Sequence, residues 1–300
     1  KLHPRPTTRK TIILYLNNLV HASDLVVEVF KAGIIPCAME LVDNMTINAI
    51  ADYINTPLKR EADALVLIEV DGHHDGAASD EAQEILSLCG GFDGVIEARL
   101  AATEEEADRF WIIRREALPA LKAMKKDHLE ADVVVPRYKL PFLVKAIGEI
   151  EHGPAVSIAT FGHAGDGNLH VTIMHRRRNF AELDEAYTIL EAVYKKTVEM
   201  DGSLTGEHGV GITVKDYLGL QMSDAEIALM KRIKGAFDPK GILNPGKIFA
   251  DNGKTACMED QAGLSEEKYR SIVESTDDAV YMVDADCRYL FANEKVLAGL

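Results

Sequence analysis

Cysteine is scarce in this chain: four in 300 residues, at positions 37, 89, 257 and 287. They form no CxxC pair and no closely spaced framework, which excludes a thiolate zinc site and a secreted disulfide scaffold and fits a reducing compartment. Long apolar runs are missing too. The longest, such as Ala64-Leu-Val-Leu-Ile-Glu-Val70, are of strand length, far below the roughly 20 residues a membrane helix needs. Lys1-Leu-His-Pro-Arg-Pro6 lacks the apolar centre of a signal peptide. Basic residues are outnumbered, 33 Lys and Arg against 48 Asp and Glu, for a net charge of -15. Their only run is Arg176-Arg177-Arg178, read as a solvated turn, so no nucleic-acid or anionic-membrane surface is expected. No GxGxxG fingerprint occurs. These absences imply a cytoplasmic chain with no transmembrane segment, peripheral to the inner membrane only through partners. It begins without Met in a loop-like stretch, which suggests a piece of a longer protein.

What is present is the patterning of a mixed α and β domain. Apolar alternation and helical spacing predict a strand at 11–16, helices at 22–32 and 44–54, a buried strand at 64–70, a helix at 80–89 and a strand at 94–98. Thr103 followed by three glutamates predicts an N-capped helix running to about Met124. A strand at 132–135 and a helix at 140–150 follow. Segments 154–161 and 169–174 read as a hairpin around a Gly-rich turn, and helices are expected at 180–200 and 223–237, the latter with Ser223 and Glu226 at capping-box spacing. The expected fold is α+β, a ferredoxin-like antiparallel sheet with helices on one face, plus a C-terminal helical segment. Domain boundaries are expected after residue 250, with a linker at 251–264 and a second piece at 265–300.

The chemistry concentrates in two Gly-punctuated stretches, His163-Ala-Gly-Asp-Gly-Asn-Leu-His170 and Gly206-Glu-His-Gly209. A tight turn whose glycines tolerate positive φ could bring His163 and His170 to one opening. Imidazoles with a carboxylate suit zinc, manganese or iron, and Glu207 is the candidate oxygen ligand. In an extended segment Glu207 and His208 would face opposite ways, one toward a metal and the other free to move a proton. His73, His74, His128, His152 and His175 lack such surroundings and read as surface residues.

Three stretches, Phe161 to His170, Gly202 to Gly211 and Phe237-Asp-Pro-Lys-Gly-Ile-Leu-Asn-Pro-Gly-Lys247, in that order, resemble the C-terminal domain of FAD-linked oxidases, the group of glycolate oxidase FAD subunits and D-lactate dehydrogenases. Gly33 to Asp43 and Arg109 to Arg114 are similar to two further parts of that domain. The resemblance implies FAD, and a divalent metal held by His163, His170 and Glu207. It makes His208 the general base, Arg114 the anchor for a substrate carboxylate and Asn244 a flavin contact. The implied reaction is oxidation of a small D-2-hydroxy acid to the 2-oxo acid, with electrons passing from FAD to an acceptor subunit or quinone pool. A missing N-terminal FAD-binding domain would leave this piece inactive alone. The lysine that 2-hydroxyglutarate enzymes place before their next strand is replaced here by His128-Leu-Glu-Ala131, which favours glycolate or lactate over a dicarboxylate. Residues 266–293 resemble the opening helix and first strands of a PAS domain. Two other readings stay open: a metal-dependent hydrolase using the same His163, His170 and Glu207, and a sensory input module to a PAS relay. Without the resemblance, Arg114 reads as a helix-surface ion pair with Glu116 or another acidic neighbour.

Overall fold

A computed structural model describes residues 4–125, 127–176 and 178–250, and the backbone of 281–283 and 289–292. Its first compact unit ends at Ile248 and its second begins at Phe249. Unit one is built on a seven-stranded antiparallel sheet. In chain order the elements are β1 (Thr8–Leu16), α1 (Leu19–Lys31), β2 (Ala38–Asp43), α2 (Asn44–Tyr53), β3 (Ala64–Gly72), α3 (Asp75–Gly90), β4 (Val95–Leu100), α4 (Glu104–Arg115), α5 (Ala117–Met124), β5 (His128–Val134), α6 (Leu140–Gly148), β6 (Ser157–Gly162), β7 (Asn168–Met174), α7 (Phe180–Glu199) and α8 (Asp224–Phe237).

The strand order β4-β1-β3-β2-β6-β7-β5 contains two related halves. In the first, β3 lies between β1 and β2 and β4 flanks β1, the ferredoxin-like split βαβ arrangement, with α2 added between β2 and β3. In the second, β7 lies between β5 and β6, crossed by α6 and followed by α7. The place of a fourth strand is taken by a bridge between Val134 and Ser203, with hydrogen bonds of 3.1 and 2.8 Å. The halves join along β2 and β6, where only Leu41–Gly162 and Val42–Phe161 are in register.

Period-two alternation divides the core. Ile12, Leu14 and Leu16 of β1 face α1, α3, α6 and α7, while Ile13 and Tyr15 face α2, α4 and α5. The antiparallel sheet backed by helices is as expected. Helices cover both faces, however, because α2, α4 and α5 bury apolar residues against the reverse side of β1, β3 and β2. That second layer reaches β7 only at Met174, and β5 and β7 otherwise present Glu130, Asp132, His170 and Thr172 on the same side. Two further departures are local. The expected helix of 103–124 breaks at Glu116 into α4 and α5, and Ala38–Asp43, given no element from the pattern, is a strand. Thr103 caps α4 and the Ser223–Glu226 capping box is formed.

One buried carboxylate closes the seam between the halves. Asp43 ends β2, caps α2 by accepting from Thr46 N at 2.8 Å, and accepts from Thr160 N of β6 at 2.6 Å. Asp43→Ala leaves both N–H groups without a partner in the interior, and each such loss costs about 1–3 kcal/mol. The expected result is a loss of about 2–4 kcal/mol, read as a lower urea midpoint with an unchanged m-value.

In unit two, Tyr281–Val283 pairs antiparallel with Tyr289–Ala292. The expected linker at 251–264 and helix at 266–275 lie outside the described residues.

Candidate active site

The hairpin of β6 and β7 forms as the Gly pattern implied, with Gly167 at φ +77° closing a 3₁₀ turn at Ala164–Asp166. A Cβ on Gly167 would overlap the carbonyl oxygen of Val135, so this turn packs under the end of β5. His163 stands at the mouth of the turn. His170 faces the same side of the sheet from β7, 4 % exposed, with ring centroids 5.5 Å apart.

Glu207 and His208 arrive from the loop after α7. Their adjacent backbone N–H groups both donate at 2.8 Å to one oxygen of Asp132, on β5. Two consecutive N–H groups aimed at one carboxylate make an anion nest, not an extended strand, so their side chains do not diverge as an extended reading implied. Gly206 permits this approach: a Cβ there would overlap Asn168 Nδ2 and lie 2.6 Å from Asp132 Oδ1.

Three imidazole Nε2 atoms, of His163, His170 and His208, each lie 3.5 Å from Glu207 Oε1. Each of these rings has a carboxylate on its Nδ1 side. Glu40 is 2.7 Å from His163 Nδ1, Asp132 is 3.7 Å from His170 Nδ1, and Asp132 is 3.5 Å from His208 Nδ1. The hydrogen bond to Glu40 raises the titration of His163 against the opposing effect of burial, whereas burial lowers that of His170. For Asp132, burial pushes upward, but donation from Asn168, His208 and Glu207 prevails and holds the carboxyl below its ordinary range.

His163, His170 and Glu207 can place one ligand atom each within 4.8 Å of one another, and so can Glu130, His170 and His208. His170 Nδ1 is buried without a hydrogen-bond partner. The first set offers two nitrogens and an oxygen, the donor chemistry of zinc, manganese or iron, and the His163 ring has a hydrogen-bonded carboxylate, Glu40, behind it as metal-bound histidines commonly do.

Arg114 is also here. Its Nε donates to Glu40 at 2.6 Å, and its guanidinium lies 5.0 Å from the centroid of the Phe161 ring. It is therefore not a surface pair with Glu116. Asn244 is elsewhere, in a turn at φ +47° where its side chain accepts from Lys247. Its segment is nonetheless tied to the loop after His208, through Ile248 N to Gly211 O at 2.8 Å. His175, read from the sequence as a surface residue, is buried at the end of β7.

Residues 5–248 match the family described as FAD linked oxidases, C-terminal domain. The chain belongs to that family. Glycolate oxidase subunit GlcD of Bacillus subtilis (strain 168) is 39% identical over 261 residues, 87% of this chain and 55% of that protein. GlcD of Escherichia coli (strain K12) is 32% identical over 249 residues, 82% of this chain and 49% of that one. The chain thus spans about half the length of the curated relatives it matches. A solved structure of p-cresol methylhydroxylase, at 12% identity, superposes with a TM-score of 0.63 over 84% of this chain and 55% of that one, a likeness of fold.

The residues that sequence reasoning missed are acidic: Glu40, Glu130 and Asp132. Their signal was an acidic side chain at alternate positions of otherwise apolar strands, Met39-Glu40-Leu41 and Leu129-Glu130-Ala131-Asp132-Val133.

Proposed function

We propose that this chain is the substrate-binding and catalytic part of an FAD-dependent enzyme that oxidises a small D-2-hydroxy acid, glycolate or D-lactate, to the 2-oxo acid. The observation that carries the reading is the convergence of His163, His170 and His208 on Glu207, beside an arginine held by Glu40. In this reading His163, His170 and Glu207 hold a divalent metal, which when bound would lower the pKa of the substrate hydroxyl, while the flavin would take the hydride. The chain's own residues do the rest. Arg114 forks the substrate carboxylate, as a planar guanidinium suits. His208, half-exposed and oriented by Asp132, takes the hydroxyl proton at Nε2. A cavity of about 240 Å³ lined by Glu130, Asp132, His208 and Val210 lies beside it, and Arg114, His163 and Glu207 are not among its lining residues. Asn244 is assigned to the flavin, with an acceptor subunit or quinone pool beyond it. No helix among the described residues is long and apolar enough to cross a membrane. The antiparallel pair at 281–283 and 289–292 supports reading the second unit as the start of a PAS-like domain.

The test is elemental analysis of the purified chain. The parent is expected to carry a stoichiometric divalent metal, and His163→Ala, which removes one of three ligands, to lose it by 10-fold or more at equal protein. Equal metal in both, or none in the parent, would sink the assignment.

A further inference from the structure

We infer that Glu40 is a positioning residue that sets two functional groups with one carboxylate: it keeps the proton of His163 on Nδ1, so that Nε2 presents a lone pair toward Glu207, and it holds the guanidinium of Arg114 by Nε alone. The inference deepens the metal and substrate assignments proposed above and rests on them for its purpose, but its geometry is independent of them. Glu40 is 4 % exposed in the centre of β2, between Met39 and Leu41 of the opposite core. Burying a carboxylate costs several kcal/mol before its partners compensate, and an apolar residue at this position would serve the sheet better. A purely structural ion pair with Arg114 would account for Oε2, at 2.6 Å. It leaves unexplained why Oε1 is given to His163 at 2.7 Å and, among the described residues, neither oxygen to the backbone. Among the described residues the Nη groups of Arg114 carry no protein hydrogen bond, so the arm of the fork suited to an anionic ligand stays unused.

Glu40→Gln separates positioning from bulk, because it keeps shape and changes only donor and acceptor roles. Arg114 Nε is always a donor, so the amide oxygen must turn to it and the NH₂ must turn to His163 Nδ1. That nitrogen then has to accept, and the ring proton moves to Nε2, the atom facing Glu207. The experiment is ¹H–¹⁵N correlation of the imidazole nitrogens in the chain, recorded without metal at a pH where the rings are neutral, together with calorimetric titration of Zn²⁺. The parent is expected to show His163 protonated on Nδ1 and Glu40→Gln on Nε2, with a Zn²⁺ Kd raised about 10–100-fold, the usual size of the effect of removing such a supporting partner. An Nε2–H tautomer in the parent overturns the inference whether or not the variant folds. So does an unchanged tautomer in a folded Glu40→Gln. A parent that binds no Zn²⁺ overturns the metal assignment instead, while the tautomer still decides the role of Glu40.

Discussion

Asp132→Ala is expected to cost about 3–5 kcal/mol of stability and to abolish the site in whatever fraction remains folded. The carboxylate is 7 % exposed and accepts three hydrogen bonds, from Asn168 Nδ2 at 2.7 Å and from the backbone N–H groups of Glu207 and His208 at 2.8 Å each. Alanine strands the two backbone N–H groups and leaves Asn168 Nδ2 only its bond to Val133 O, and stranded donors cost about 1–3 kcal/mol apiece, partly relieved if water enters from the adjoining cavity. Among the described residues the 206–208 segment has no other anchor of this kind, and Gly206 N donates to the Asp132 carbonyl at 2.8 Å, so backbone and side chain of one residue fix the loop. Asp132→Asn is the more informative variant. Its single acceptor oxygen can serve Asn168 or the nest, not both, and its amide hydrogens oppose whichever donor is left. Urea denaturation should show both variants well below the parent, with alanine no better than asparagine. A midpoint for either within experimental error of the parent would mean that Asp132 does not hold the loop.

The same dependence on distant partners sets how much of the molecule is legible in its sequence. The hairpin carrying His163 and His170 is written in a local code, a Gly-rich turn between two alternating segments, and it forms nearly where the pattern put it. The same holds for the caps at Thr103 and Ser223, whose partners are three residues away. Ala38–Asp43 failed for the opposite reason. As a central strand it should read as apolar, but Glu40 and Asp43 serve the site and the seam, through partners at His163, Arg114 and Thr160 that no local window contains. The continuous apolar run Ala64–Ile68 of β3 is the mark of a strand buried on both faces, but which helices supply the second layer depends on contacts that no local window contains. Glu130 and Asp132 lay in plain alternation with Leu129, Ala131 and Val133. Their shared face could have been taken for a solvated one, and only the arrival of the 206–208 loop makes it an enclosed acidic wall. The likeness of the two halves is topological: β1-α1-β2-β3 and β5-α6-β6-β7 share a path with no repeated sequence, because the path constrains burial patterns and not residues.

His208→Gln should separate proton transfer from metal holding more cleanly than any other substitution in the site. On the proposed reading the imidazole takes the substrate hydroxyl proton, a role worth about 10²–10⁴-fold in rate, and glutamine keeps the volume and a hydrogen-bonding tip without a titratable nitrogen. His208 Nε2 is as near Glu207 Oε1 as the other two imidazoles are, 3.5 Å, so proximity alone does not divide base from ligand. The grouping does: His208 does not join the set of atoms that His163, His170 and Glu207 bring within 4.8 Å of one another. The expected result, in a flavin-loaded full-length enzyme with an acceptor dye following turnover of glycolate or D-lactate, is a kcat lowered by 10²-fold or more at unchanged metal content. Loss of metal together with rate would make His208 a ligand, and the second grouping of Glu130, His170 and His208 would then describe the site better than the first.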